Sequence, residues 1–180
     1  MDELPLIQFE GQITLIESKE DYQSSVDYLS KQKILGFDTE TKPAFKKGTY
    51  NEVALLQLST EDRAFLFRLN KIGLPNGLKN ILENADIQKI GVAIRDDIKA
   101  LQKLNHFKPC GFIELQDHVK DFGIQDFSLK KLSAIVLGYR ISKSQRITNW
   151  EAPDLSEAQQ IYAATDAWIS HRIFESLNQQ

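Results

Sequence analysis

Ile34-Leu35-Gly36-Phe37-Asp38-Thr39-Glu40 reads as an apolar strand that closes on two carboxylates. Downstream, Val53-Ala54-Leu55-Leu56-Gln57-Leu58-Ser59 is a second strand, nearly all apolar and therefore central in its sheet. Glu61-Asp62 makes a tight turn into a third strand from Ala64 to Leu69. Three strands joined in this way predict an antiparallel meander. Upstream, Gln12 to Glu17 is a short strand. Ser18-Lys19-Glu20-Asp21 has the form of a capping box, which predicts a helix from there to about Ser30.

Beyond the meander the pattern alternates between helix and strand. Pro75-Asn76-Gly77 precedes a helix to about Glu83, Gln88 to Ala93 is a strand, and Asp96 to Leu104 is a helix. Phe112 to Leu115 is a short strand that runs into a helical turn, and Ser128 caps a helix ending at Gly138. Residues 139–155 form an extended basic loop closed by Pro153. Ser156-Glu157-Ala158-Gln159 is a second capping box and opens a long last helix to about Leu177. The expected architecture is α/β, a mixed sheet of five or six strands flanked by helices.

At 180 residues, 42% hydrophobic and 26% charged, the chain suits one domain over residues 1–180 with a substantial core. Its formal net charge of −3 argues against bulk electrostatic binding of nucleic acid, so a phosphate backbone would need local basic groups or bound cations. No apolar run reaches the roughly 18–20 residues that span a bilayer. The acidic start Met1-Asp2-Glu3-Leu4-Pro5 is unlike a secretion signal, so a cytoplasmic location without membrane contact is expected. Cys110 is the only cysteine, which excludes an internal disulfide and a thiolate zinc cluster within one chain.

Three places carry chemistry. Side chains alternate along a strand, so Asp38 and Glu40 share one face while Phe37 and Thr39 take the other. Two such carboxylates repel unless a proton or cation intervenes, and hard divalent ions favour oxygen ligands. A solvated strand edge would look the same. In the last helix, Tyr162, Asp166, Ile169 and Ile173 recur at helical spacing, which sets Asp166 on an apolar stripe. An unpaired carboxylate there is costly, so it must be paired, protonated or metal-bound; a structural salt bridge satisfies that equally. Between them, Gly91-Val92-Ala93-Ile94-Arg95-Asp96-Asp97 offers two aspartates. Asp97 shares its helix face with Ala100, Leu101 and Leu104, and Asp96 shares its face with Lys99 and Lys103, so Asp97 points inward.

Taken in order, an Asp-x-Glu strand, an Asp at a helix start and a Tyr-x-x-x-Asp helix resemble the DEDD exonuclease superfamily, in its tyrosine branch. The resemblance covers roughly residues 30–177. It includes Val53–Ser59 as the second strand, Gly91-Val92-Ala93-Ile94 before the second motif, and Lys143–Trp150 with Tyr162–Ala167 around the third. Ribonuclease D and the exonuclease domain of the Werner-syndrome helicase are similar members. The superfamily's other branch has histidine five residues before the last aspartate, where this chain has Ile161; His106, His118 and His171 lie outside the motifs.

The resemblance implies a ribonuclease-H-like fold and 3′→5′ removal of nucleotides from DNA or RNA with a free 3′ end. It implies two Mg²⁺ or Mn²⁺ ions about 3.5–4 Å apart. Asp38 would bridge both ions, Glu40 and Asp166 would complete the first, and Asp97 would hold the second largely through water. Tyr162 would orient the attacking water, and nucleoside 5′-monophosphates would leave. Thr39, Leu56, Arg146 and Trp150 are the expected substrate contacts, with Trp150 alternatively a buried anchor for its loop and Leu56 alternatively core. Phe45, Lys42, Lys46, Lys47, Arg140 and Lys143 lie close enough in sequence to take part. Two other classes remain open at this point: a non-catalytic nucleic-acid or protein-binding module on the same fold, and an aspartyl phosphatase. The latter would need aspartate where Glu40 stands.

Overall fold

The computed structural model describes residues 3–125 and 127–180. Its centre is a six-stranded mixed sheet in the order β1-β4-β3-β2-β5-β6. The strands are β1 (Gln12–Ile16), β2 (Ile34–Thr41), β3 (Val53–Ser59), β4 (Arg63–Arg68), β5 (Gln88–Gly91) and β6 (Phe112–Glu114). The meander is as expected: β2, β3 and β4 pair antiparallel. Around it β1 joins β4, β5 joins β2 and β6 joins β5, all parallel. Every residue of β3 is buried, because helices cover both of its faces and strands flank both of its edges.

One face of the sheet carries α7 (Glu157–Asn178), and its core includes Leu55, Ile90, Trp150, Ala163 and Ile169. The other face carries α1 (Tyr22–Ser30), α3 (Asn76–Glu83) and α4 (Ile94–Leu104), packed on Phe37, Leu56, Leu58 and Phe65. Burying each such side chain contributes about 1.5–3 kcal/mol. A short α2 (Leu69–Ile72) follows β4, α5 (Leu115–His118) follows β6, and α6 (Leu129–Leu132) runs on into a π-turn, Ser133–Leu137.

Gly36 sets how closely α7 lies on β2. A Cβ there would stand 1.8 Å from the Ala167 carbonyl oxygen, so a larger residue would push the helix off the strand. Small residues at 163, 164 and 167 complete the close approach. The contact brings the middle of α7 over the end of β2, where the carboxylates lie.

Two helix starts differ from the sequence reading. The Ser18 box does not form: the Ser18 hydroxyl accepts from the Glu20 N–H instead (3.4 Å), and α1 begins at Tyr22 behind Asp21. The strand expected to reach Ala93 stops at Gly91, and α4 starts at Ile94. Its cap comes from a distant strand, as the Glu114 carboxylate accepts from the N–H groups of Ala93 (2.9 Å) and Ile94 (2.8 Å). The Ser156 box forms as expected, with reciprocal bonds between Ser156 and Gln159. No helix of the described residues is long and apolar enough to cross a membrane.

Candidate active site

Strand alternation and helical spacing converge at one point. Ligand oxygens of Asp38, Glu40 and Asp166 all lie within 4.8 Å of one another. Asp38 and Glu40 come from the face of β2 that α7 covers, and Asp166 comes from α7 itself. A bulge in the β2–β3 pairing between Glu40 and Thr41 ends the regular ladder beside the cluster.

The fourth acid arrives from the other side of the sheet. Asp97 lies in the first turn of α4 and accepts a hydrogen bond from the Thr39 hydroxyl, on the strand face opposite Asp38 and Glu40. It stands outside the tight group of three, but near enough for its charge to act on both Asp38 and Glu40. Of the two candidate aspartates, Asp96 is exposed and Asp97 is partly buried, which agrees with the helical-face reading.

The electrostatics of this corner are unrelieved. Burial, followed by the charges of Glu40, Asp166 and Asp97, holds the Asp38 carboxyl well above the usual carboxylate range, against the pull of the Thr39 N–H bond (2.8 Å). Burial and then Asp166 do the same to Glu40, opposed by the Gln57 amide (3.3 Å). Burial pushes Asp166 up to about 7 while the Lys143 ammonium opposes it, and burial pushes Asp97 up to about 6. Among the described residues no lysine or arginine forms an ion pair with any of the four. A divalent cation among these oxygens would remove the repulsion, and an all-carboxylate donor set suits Mg²⁺ or Mn²⁺.

Tyr162 is one helical turn before Asp166 and on the same face. Burial, then the charges of Asp166, Glu40 and Asp38, raises its phenol above the ordinary value, with Arg146 opposing. The hydroxyl therefore stays protonated and able to donate a hydrogen bond.

Two expected substrate contacts are corrected. Trp150 is 0% exposed, so it offers no face to a base; it packs against the Tyr162 ring at 6.0 Å between centroids and anchors its loop. Leu56 is likewise 0% exposed, pairs with Thr39 across the ladder, and belongs to the core beneath α4. Thr39 is occupied with Asp97. Arg146 is exposed in the loop before α7, and Phe45 is 87% exposed in the loop after β2, both free to meet a ligand.

Gln57 was missed. It is fully buried, sits opposite Asp38 in the ladder, and ties Glu40 to the Ala163 carbonyl through its amide nitrogen (3.3 Å each). The signal was present: a lone amide inside an otherwise apolar strand must have a buried partner.

The six-stranded mixed sheet flanked by helices, with carboxylates clustered at the end of β2, has the ribonuclease-H-like form. Within that fold class, the sequence model of the 3′-5′ exonuclease family matches residues 13–180, and the chain belongs to this family. It is 34% identical over 98% of its length to the bifunctional 3′-5′ exonuclease/ATP-dependent helicase WRN of Mus musculus. It is 29% identical over 91% of its length to ribonuclease D of Gluconacetobacter diazotrophicus. The chain spans 13% of the mouse protein and 42% of the ribonuclease D. Among solved structures, the Aedes aegypti Nibbler EXO domain superposes with a TM-score of 0.84 at 26% identity, over 97% of this chain and 91% of that one.

Proposed function

We propose that this chain, a single exonuclease domain, hydrolyses the last phosphodiester bond at the 3′ end of DNA or RNA and releases nucleoside 5′-monophosphates with the help of two divalent cations. The observation that carries this reading is the group of three carboxylates within 4.8 Å, without an ion-paired lysine or arginine among the described residues, on a chain of the 3′-5′ exonuclease family.

Asp38, Glu40 and Asp166 would hold the ions, with Asp97 adding its charge from the Thr39 side. When bound, Mg²⁺ or Mn²⁺ supplies a water of lowered pKa and stabilises charge on the departing 3′ oxygen. The chain's own groups do the rest. Thr39 fixes two of the acids, through its N–H to Asp38 and its hydroxyl to Asp97. Gln57 fixes Glu40. Tyr162 orients the attacking water with its protonated phenol. Lys143 and Arg146, both exposed in the loop before α7, meet the phosphates, with arginine offering a two-pronged donor. Exposed Phe45 offers an apolar surface to the terminal base or sugar.

A 5′-labelled single strand, as DNA and as matched RNA, incubated with Mn²⁺ or Mg²⁺ tests this. Stepwise shortening, with products that co-elute with nucleoside 5′-monophosphates and that disappear with EDTA, is expected. An intact strand under every condition, or cutting at internal positions, refutes it.

A further inference from the structure

Arg68 is the last residue of β4 and its side chain is fully buried, with Glu17 as its ion-pair partner among the described residues. The rest of its guanidinium is turned onto the main chain of the loop that leads into α7. Nη1 donates to the Pro153 carbonyl (2.9 Å) and to Glu17 Oε1 (3.2 Å), while Nη2 donates to the carbonyls of Trp150 (3.4 Å) and Ala152. Lys71 adds a bond to the Pro153 carbonyl (2.9 Å) and sits 3.6 Å from Glu17 Oε2. From the helix side, the Gln159 amide donates to the Thr148 hydroxyl (3.0 Å) and the Asn149 carbonyl (3.2 Å).

A loop without its own ladder must find partners for its carbonyls elsewhere, and here one planar cation serves three of them. The consequence falls on Trp150, whose backbone is held by Arg68 and whose indole lies against the Tyr162 ring at 6.0 Å and 34°. Arg68 does not reach the carboxylates.

We propose that Arg68 is a positioning residue for Tyr162: by clamping the carbonyls of residues 150, 152 and 153 it seats Trp150 as the wall that fixes the angle of the phenol over the carboxylates. This rests on the reading of Tyr162 as the group that orients the attacking water. Orientation errors of this kind act on the reacting geometry rather than on strand binding.

The test is kcat and KM on a single strand for Arg68→Met, Arg68→Lys and Tyr162→Phe, with the double variant Arg68→Met/Tyr162→Phe, each checked for folding by circular dichroism. Arg68→Met is expected to lower kcat on the order of tenfold with KM unchanged. Arg68→Lys restores part of the loss, and Arg68→Met has no further effect once Tyr162 is phenylalanine. Should Arg68→Met fail to fold, Arg68→Gln, whose single amide cannot reach all three carbonyls, takes its place in the same comparison. An equal loss with and without the Tyr162 hydroxyl, a change in KM alone, or no change in a folded variant overturns the clamp and leaves the role of Tyr162 intact. A Tyr162→Phe enzyme with wild-type kcat removes that role, and the clamp with it.

Discussion

Two buried charged regions in this molecule are built in opposite ways. At Arg68 and Lys89 the cations are fully buried, and each is met by backbone carbonyls: the Lys89 ammonium donates to those of Ile81 (2.9 Å), Asn84 (2.8 Å) and Ile87 (2.6 Å). At the end of β2 the carboxyls are crowded together, and the donors that reach them, from Thr39 and Gln57, are neutral. The first arrangement satisfies polar groups that folding would otherwise leave unpaired. The second holds carboxyls whose ionisation the fold opposes, so that a proton or an entering cation is needed to relieve them. Stability and function are thus separated by a few residues of the same sheet.

The contrast is sharpest in what removing a charge does. Asp38→Asn is expected to reduce exonuclease activity by at least about 10²–10³-fold, while raising the stability of the metal-free protein by roughly 1 kcal/mol as repulsion is relieved. A melt in chelator beside a turnover assay checks both halves, and a destabilised Asp38→Asn would break the contrast. Arg68→Met goes the other way, losing about 3 kcal/mol because carbonyls and Glu17 are left without their partner. Urea unfolding measures this, and a neutral result would mean the loop finds other donors.

The pH profile separates the regions next. Asp97 and Asp166 are raised to about 6 and about 7 in the folded chain, above the ordinary 3.8 of an aspartate in an unfolded chain. The folded state therefore binds protons that the unfolded state has already released. The stabilisation from these protons is complete below the unfolded pKa and is lost as pH rises through 6 and 7. Chelator-treated protein should melt at a higher temperature at pH 5 than at pH 8, and Mn²⁺ should raise the pH 8 melt most. A flat profile would show that the acids are neutralised in some other way. The smallest effect is expected for Thr39→Val. Loss of its hydroxyl bond moves Asp97 further upward, so the acid limb of kcat/KM shifts to higher pH by about half a unit. A shift to lower pH would contradict the bond's assigned direction.

How much of this was legible depends on the range of the interaction. The meander, the Ser156 cap, the inward Asp97 and the shared face of Asp38 and Glu40 follow from spacing within a few residues, and each could be read directly. Glu114 capping α4, Gln57 holding Glu40 and Arg68 holding residues 150–153 join positions 17 to 85 residues apart. Nothing in local pattern marks such pairs, except that a polar residue inside an apolar run demands a partner somewhere. Trp150 shows the same limit from the other side: an aromatic in a basic loop suits base stacking on composition, and only packing against Tyr162 shows where the ring goes.

Binding of Mn²⁺ by calorimetry, run in parallel on the wild-type protein and on Asp38→Asn, addresses the unrelieved carboxylates most directly. The wild-type protein should bind the ion with a matching rise in melting temperature, and Asp38→Asn should lose most of both. Wild-type protein that neither binds Mn²⁺ nor melts higher in its presence would contradict the account.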